Sequence, residues 1–151
     1  MRDVLSYCKH KPTVLQVELH PYNTMEKLLR FCKEKDVKVT AYSSFGAGSY
    51  IGIDMATKEQ NCLEEALIKE LGSKYSKSPA QVVLRWAVQR GTAVIPKSVN
   101  PARMAENAAV FDFALTEEEM ASVSKLNQNL RFNDPGKYAE RFFNVFYPIY
   151  E

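Results

Sequence analysis

The sequence predicts an α/β fold built from parallel βα units. Three observations predict it: short strand-like segments at 14–19, 37–42 and 93–96; a helix-period segment after each; and a connection between the second and third strands that holds a loop and two helices. An open doubly wound sheet and a (β/α)8 TIM barrel both satisfy that order. No G-x-G-x-x-G follows any of the strands, so the barrel is the expected form.

Arg2 to His10 reads as the closing part of a helix, since Val4, Leu5 and Cys8 share a face and no N-cap precedes them. That implies chain ahead of it. Lys11-Pro12 stops the helix, and Val14 to Leu19 alternates, with Leu15, Val17 and Leu19 on one face and Gln16 and Glu18 on the other. His20-Pro21-Tyr22 ends this strand. Thr24 is the expected cap of a helix whose apolar positions are Met25, Leu28, Leu29 and Cys32. Val37 to Tyr42 reads as the second strand, followed by a loop of small residues, Ser43 to Ser49, that continues to about Gln60.

Leu63 to Tyr75 reads as a helix, and Ser78-Pro79 caps another that runs to Arg90, with Gly91 as its stop. Ala93 to Pro96 reads as a buried strand, and Asn100-Pro101 opens a helix to about Val110. Thr116 and Glu119 form a capping box, Leu115 and Met120 a hydrophobic staple, for a helix to about Asn129. From Arg131 no helical period is evident. Phe132, Tyr138, Phe142, Phe143, Phe146, Tyr147 and Tyr150 crowd this tail, which is therefore expected to cover apolar surface.

The bulk properties narrow the function. At 151 residues, 46% hydrophobic and 25% charged, the chain is an ordinary globular one. A net charge of +2 with both signs intermixed does not suit a nucleic-acid or anionic-membrane surface. No apolar run approaches the ~18 residues of a membrane span, and Met1 to Tyr7 lacks the apolar core of a signal peptide. Cys8, Cys32 and Cys62 are odd in number and show neither C-x-x-C nor zinc-ligand spacing. Cytoplasm, a reducing compartment and no metal are the expectations.

The stretch from Thr92 to Asn107 carries the chemistry. A strand running into a helix N-terminus aims backbone N–H groups and the positive end of the helix dipole at one spot, a ready anion site. Lys97 and Ser98 lie on the approach and Arg103 in the first turn, so phosphate is the natural guest. Taken alone, the same residues also read as an ordinary cap with two solvated cations.

Three ordered motifs widen the argument: Val17-Glu18-Leu19-His20-Pro21-Tyr22, Val39-Thr40-Ala41-Tyr42-Ser43, and Ile95-Pro96-Lys97-Ser98-x-x-x-x-Arg103-x-x-x-Asn107. With these the chain resembles the aldo-keto reductase family from about Met1 to Asn129, over the C-terminal portion of its (β/α)8 barrel. The resemblance implies a partial barrel: the last three parallel strands with their helices, plus an extra C-terminal helix and a tail. Residues 1–130 would form the barrel part and 131–151 the aromatic tail.

The resemblance also implies an NADP(H) site. Gln16 resembles the residue that bonds the nicotinamide carboxamide, and Tyr42 the ring that stacks on the nicotinamide. Ser43, Phe45 and the small residues beyond resemble the loop over the pyrophosphate. Lys97, Ser98 and Arg103 resemble the pocket for the adenosine 2′-phosphate, with Asn100 beside them and Glu106 and Asn107 near the adenine. Ser44 stands where the family commonly has Pro, and Ala47 where it often has Ser. His20 reads as structural.

The implied reaction is hydride transfer from NADPH to an aldehyde or ketone, with a tyrosine giving the proton. The family's Asp, Tyr, Lys and His quartet lies on strands before those present here, so no catalytic residue is assigned. A full barrel runs to ~250 residues, and three strands cannot close one. Three readings follow: a fragment of a reductase; a half completed by another chain supplying the N-terminal strands; or a catalytically inactive remnant serving as a structural or protein-interaction module. The last would self-associate through the open edge at 14–19.

Overall fold

The computed structural model describes residues 1–147, so Tyr150 lies outside the described residues. β1 (Val14–Glu18), β2 (Lys38–Tyr42) and β3 (Thr92–Val94) form one parallel sheet in the order β1-β2-β3. Gln16 pairs with Thr40 and Thr40 with Ala93, while Val17, Ala41 and Val94 form the next row. Parallel strands joined by helices, in an open sheet, make this part of a (β/α) barrel.

The two faces of the sheet differ. Val39, Ala41 and, just past β1, Leu19 are buried against helices. The opposite face carries Gln16, Thr40 and Ala93 in one row and Glu18 and Tyr42 in the next. Gln16 and Ala93 are exposed there. The expectation of a buried third strand over 93–96 is therefore corrected: the strand is Thr92–Val94, and Ile95 beyond it is 51% exposed. An apolar run is buried only where something packs on both sides, and the second face is covered only at its Glu18 end, away from Ala93 and Ile95.

The helices are α1 (Arg2–Tyr7), α2 (Glu26–Glu34), α3 (Ala66–Tyr75), α4 (Pro79–Gln89), α5 (Pro101–Ala108), α6 (Glu117–Ser124) and α7 (Pro135–Phe143). α4 is the keystone. Ser78 and Gln81 close its capping box, Pro79 occupies the first turn, and Val82, Val83, Leu84, Trp86 and Ala87 are buried. Trp86 packs with Ile68 and Leu71 of α3, Leu19 and Ala41 of the sheet side, and Leu115 and Val123 at α6. Its indole N–H donates to Ser124 Oγ at 3.0 Å, and the Arg90 guanidinium lies 4.4 Å from its ring centre.

Several local expectations give way to long-range contacts. α2 starts from Met25, at φ 54°, and not from a Thr24 side-chain cap. Thr24 is instead buried: its N–H donates to Asn127 Oδ1 at 3.1 Å and its carbonyl accepts from Arg90 at 2.7 Å. The helix after Asn61 begins only at Ala66, behind short 3₁₀ turns that fill 46–64. α6 has the expected Thr116–Glu119 box but stops at Ser124.

The C-terminal region departs furthest. Residues 135–143 are helical, with Asp134 as N-cap accepting the Gly136 N–H at 2.9 Å and Pro135 in the first turn. Of the aromatic tail, Phe132 is buried, but Phe142, Phe143, Phe146 and Tyr147 are 60% to 75% exposed. Among the described residues of the tail, only the aromatic rings of Phe132 and the half-buried Tyr138 are withdrawn from solvent. No helix of the described residues is long and apolar enough to cross a membrane.

Candidate functional site

The loops that leave the carboxyl ends of β2 and β3 meet at a cavity of about 490 Å³, a volume suited to a small organic ligand. Phe45 comes from the first loop and Lys97, Ser98 and Asn100 from the second. Arg103, Glu106 and Asn107 face it from α5. The start of α4 at Ser78 and Pro79, with Leu63 and the Glu64–Lys69 ion pair, completes the lining. These last residues are not in the expected set. The packing of α4 against α5 on one side and against α3 and the 62–64 turn on the other brings them in, and no local signal marks them.

The helix terminus differs from the expected anion cradle. Asn100 Oδ1 accepts the Ala102 N–H at 2.9 Å and the Arg103 N–H at 3.2 Å, so two first-turn donors are already satisfied. Ser98 Oγ accepts the Asn100 N–H at 3.1 Å, which rigidifies the turn. Attraction for an anion therefore rests on side chains. None of the ion pairs among the described residues involves Lys97 or Arg103. Two cations without carboxylate partners and a hydroxyl on one cavity fit a phosphate dianion.

Gln16, Tyr42 and Ser43 do not line this cavity. Gln16 and Tyr42 stand on the open face of the sheet, on adjacent strands. Ser43 follows β2 in left-handed backbone at φ 50°, an uncommon conformation for a residue with a side chain. Its hydroxyl lies 2.8 Å from Tyr50 Oη. The expected site residues thus form two groups, seven at the cavity, Phe45 among them, and three at the sheet.

A third cluster was not expected. Glu18 and His20 are fully buried, and His20 Nε2–H donates to Glu18 Oε1 at 2.9 Å, the carboxylate being the only possible acceptor of the two. Glu18 Oε1 also accepts the Phe132 N–H, and Oε2 the Asn133 N–H, each at 2.8 Å. Arg131 Nη1 stands 4.0 Å from Oε2. Burial pushes the Glu18 pKa up, but the donors from His20, Phe132 and Asn133 together outweigh it and hold the carboxyl below its ordinary value. The sequence marks Glu18 as an acid on an alternating strand and a member of the motif from Val17 to Tyr22, and gives it no role.

A larger cavity of about 660 Å³ lies among α2, the start of β2 and Arg90. It is at the amino ends of the strands, whereas ligands of parallel α/β folds sit at the carboxyl ends. Among the described residues no cluster of His, Cys, Asp or Glu could hold a metal ion.

Comparison with known proteins bears on this arrangement. The model of the aldo/keto reductase family matches residues 1–128. A probable NAD(P)H-dependent D-xylose reductase of Emericella nidulans is 46% identical over 138 residues, 90% of this chain and 43% of that protein. An NADH-dependent D-xylose reductase of Candida parapsilosis is 44% identical over 139 residues, 91% of this chain and 43% of that protein. A 4-dihydromethyl-trisporate dehydrogenase of Mucor mucedo is 45% identical over 137 residues, 90% of this chain and 43% of that protein. The chain spans less than half the length of these relatives.

Proposed function

Because this chain belongs to the aldo/keto reductase family, we propose that it supplies the NADP(H)-binding part of an oxidoreductase that reduces aldehydes or ketones. The nicotinamide supplies the hydride in that chemistry; this chain's residues bind and orient. Lys97, Ser98 and Arg103 hold the adenosine 2′-phosphate, with Asn100 shaping the turn and Glu106 and Asn107 beside the adenine. Ser43 and Phe45 belong to the loop over the pyrophosphate. Gln16 bonds the carboxamide and Tyr42 stacks on the ring. No residue of this chain is given a proton-transfer role.

The observation that carries the reading is the pair of cations, Lys97 and Arg103, on the 490 Å³ cavity without carboxylate partners. A 2′-phosphate distinguishes NADPH from NADH, so the same pair supports a preference for NADPH. The relatives differ on this point, since one is NADH-dependent by name. The proposal takes the chain to be cytoplasmic, in keeping with its three unpaired cysteines.

Fluorescence titration with NADPH and NADH tests it. NADPH should bind at least tenfold tighter than NADH. Arg103→Ala should weaken NADPH by roughly 10- to 150-fold, the equivalent of about 1.5 to 3 kcal/mol for a hydrogen bond to a charged group, and leave NADH nearly unchanged. Equal loss for both nucleotides would remove the 2′-phosphate assignment.

A second reading is favoured by a specific observation: β1 is an edge strand of an open sheet, and aromatic rings stand exposed beyond α7. Edges of this kind pair with another chain. The chain would then be completed by a partner supplying the missing strands, or act as an inactive interaction module that self-associates. Light scattering of the purified chain separates these: a monomer sinks self-association.

A further inference from the structure

The Glu18 cluster lies against the loop that the proposed function places over the cofactor. Phe132, held by Glu18 through its backbone N–H, stacks on His20 with ring centres 5.2 Å apart and on Tyr50 at 5.7 Å. Tyr50 is 8% exposed, and its hydroxyl lies 2.8 Å from the Ser43 hydroxyl. Gly46, in left-handed backbone at φ 65°, fits into the same cluster: a Cβ there would meet Cys62 Sγ at 3.4 Å, the Phe132 ring at 3.5 Å and His20 Nδ1 at 3.6 Å. Cys62 Sγ in turn lies 3.5 Å from the Phe45 carbonyl oxygen. The loop from Ser43 to Tyr50 therefore touches the cluster at Gly46 and Tyr50, and Tyr50 ties its Ser43 end to that contact.

We infer that Glu18 is a positioning residue whose carboxylate clamps Phe132 and Asn133 against the Ser43–Tyr50 loop, so that the seating of the C-terminal segment and the order of that loop are one coupled event. The inference rests on the proposed function for its consequence at the cofactor, though not for its geometry. Phe132 is a shared wall. If its backbone is released, its ring leaves both His20 and Tyr50, and Gly46 loses the surface it packs on. Interiors of this density do not yield gradually, so the loop is expected to open with the segment. The coupling is reciprocal, as any equilibrium coupling must be: a ligand that orders the loop also tightens the C-terminal segment.

Amide hydrogen exchange on the 151-residue chain tests this without requiring a ligand. In Glu18→Gln, amides of Gly46 and Tyr50 should exchange at least tenfold faster than in wild type, along with Phe132 and Asn133, while Val82 to Ala87 of α4 stay protected. Freed Phe132 and Asn133 amides with unchanged Gly46 and Tyr50 amides would overturn the coupling. If the α4 amides are lost too, Glu18→Gln has unfolded and Tyr50→Phe decides. That variant keeps the ring and removes the hydroxyl that bonds the Ser43 and Asn133 side chains. It should speed exchange at Phe132 and Asn133 severalfold, and no change there would overturn the proposal.

A second arm adds NADPH. In wild type it should slow exchange at Phe132 and Asn133, residues with no proposed contact to the nucleotide, and in Glu18→Gln that transmitted protection should vanish. Protection confined to the loop counts against the coupling. Failure of NADPH to bind wild type defeats the proposed function and leaves the ligand-free comparison to decide the clamp.

Discussion

Glu18 Oε1 accepts the backbone N–H of Phe132 at 2.8 Å, joining the end of the first strand to a segment 114 residues later. A buried carboxylate that takes backbone donors on both oxygens is costly to leave unpaired, so the two segments hold each other in place. The same contact sets Phe132 between His20 and Tyr50 and makes the C-terminal segment part of the barrel end.

Phe132→Ala should detach that segment. The ring is 2% exposed, and truncating a buried Phe costs about 3 to 5 kcal/mol. Limited trypsin digestion should cut after Arg131 and Lys137 at least tenfold faster than in wild type. Unchanged cleavage would show that the ring does not hold the segment.

The acid limb of stability should carry Glu18's signature. Its carboxyl is held below the ordinary 4.5 in the fold, so the stabilisation is complete above that value and is lost as pH falls through the folded pKa. Asp36, Glu59, Asp112, Glu118 and Glu119 are lowered as well and remain in the variant, so they cancel in the comparison. The Tm gap between wild type and Glu18→Gln should be constant from pH 7 to about 5 and close below 4.5. A gap unchanged at pH 3 would falsify the role of the charge.

Thiol reactivity should separate the three cysteines. Burial pushes the Cys62 thiol up to about 12 and raises Cys32 also, and both are at most 1% exposed. Cys8 is only half-buried. A chromogenic disulfide reagent at pH 8 should titrate one thiol in the native chain and three after denaturation. Rapid reaction of three in the native chain would mean that the 3₁₀ region around Cys62 opens readily.

Gly72→Ala should destabilise the α3–α4 junction. A Cβ there would stand 2.7 Å from the Lys77 carbonyl oxygen, which is backbone and cannot swing aside. Overpacking of this kind costs about 1 to 3 kcal/mol, despite the better helix propensity of Ala. The urea midpoint reads it, and an increase would show that the junction relaxes.

The sequence by itself determined the three strands, the helices up to α6 and their order, because periodicity and capping act within a turn or two. Ser78-Pro79, Asn100-Pro101 and Thr116 with Glu119 start helices as their chemistry dictates. The motif from Lys97 to Asn107 also brought its residues to one cavity, since a strand, a turn and one helix place them all. α7 was illegible because Asp134-Pro135-Gly136 is as good a turn as it is a cap with a first-turn proline. Only the tertiary structure decided the rest. Thr24 gave its backbone N–H and carbonyl to Asn127 and Arg90, and Ala93 and Ile95 are exposed because the Phe132 segment covers that face of the sheet only at Glu18. Glu18 became a clamp only when the fold delivered two backbone donors to it from the far end of the chain. Burial and satisfaction of a polar group depend on what lies across from it, and that partner is set by packing over the whole chain, not by its neighbours in sequence.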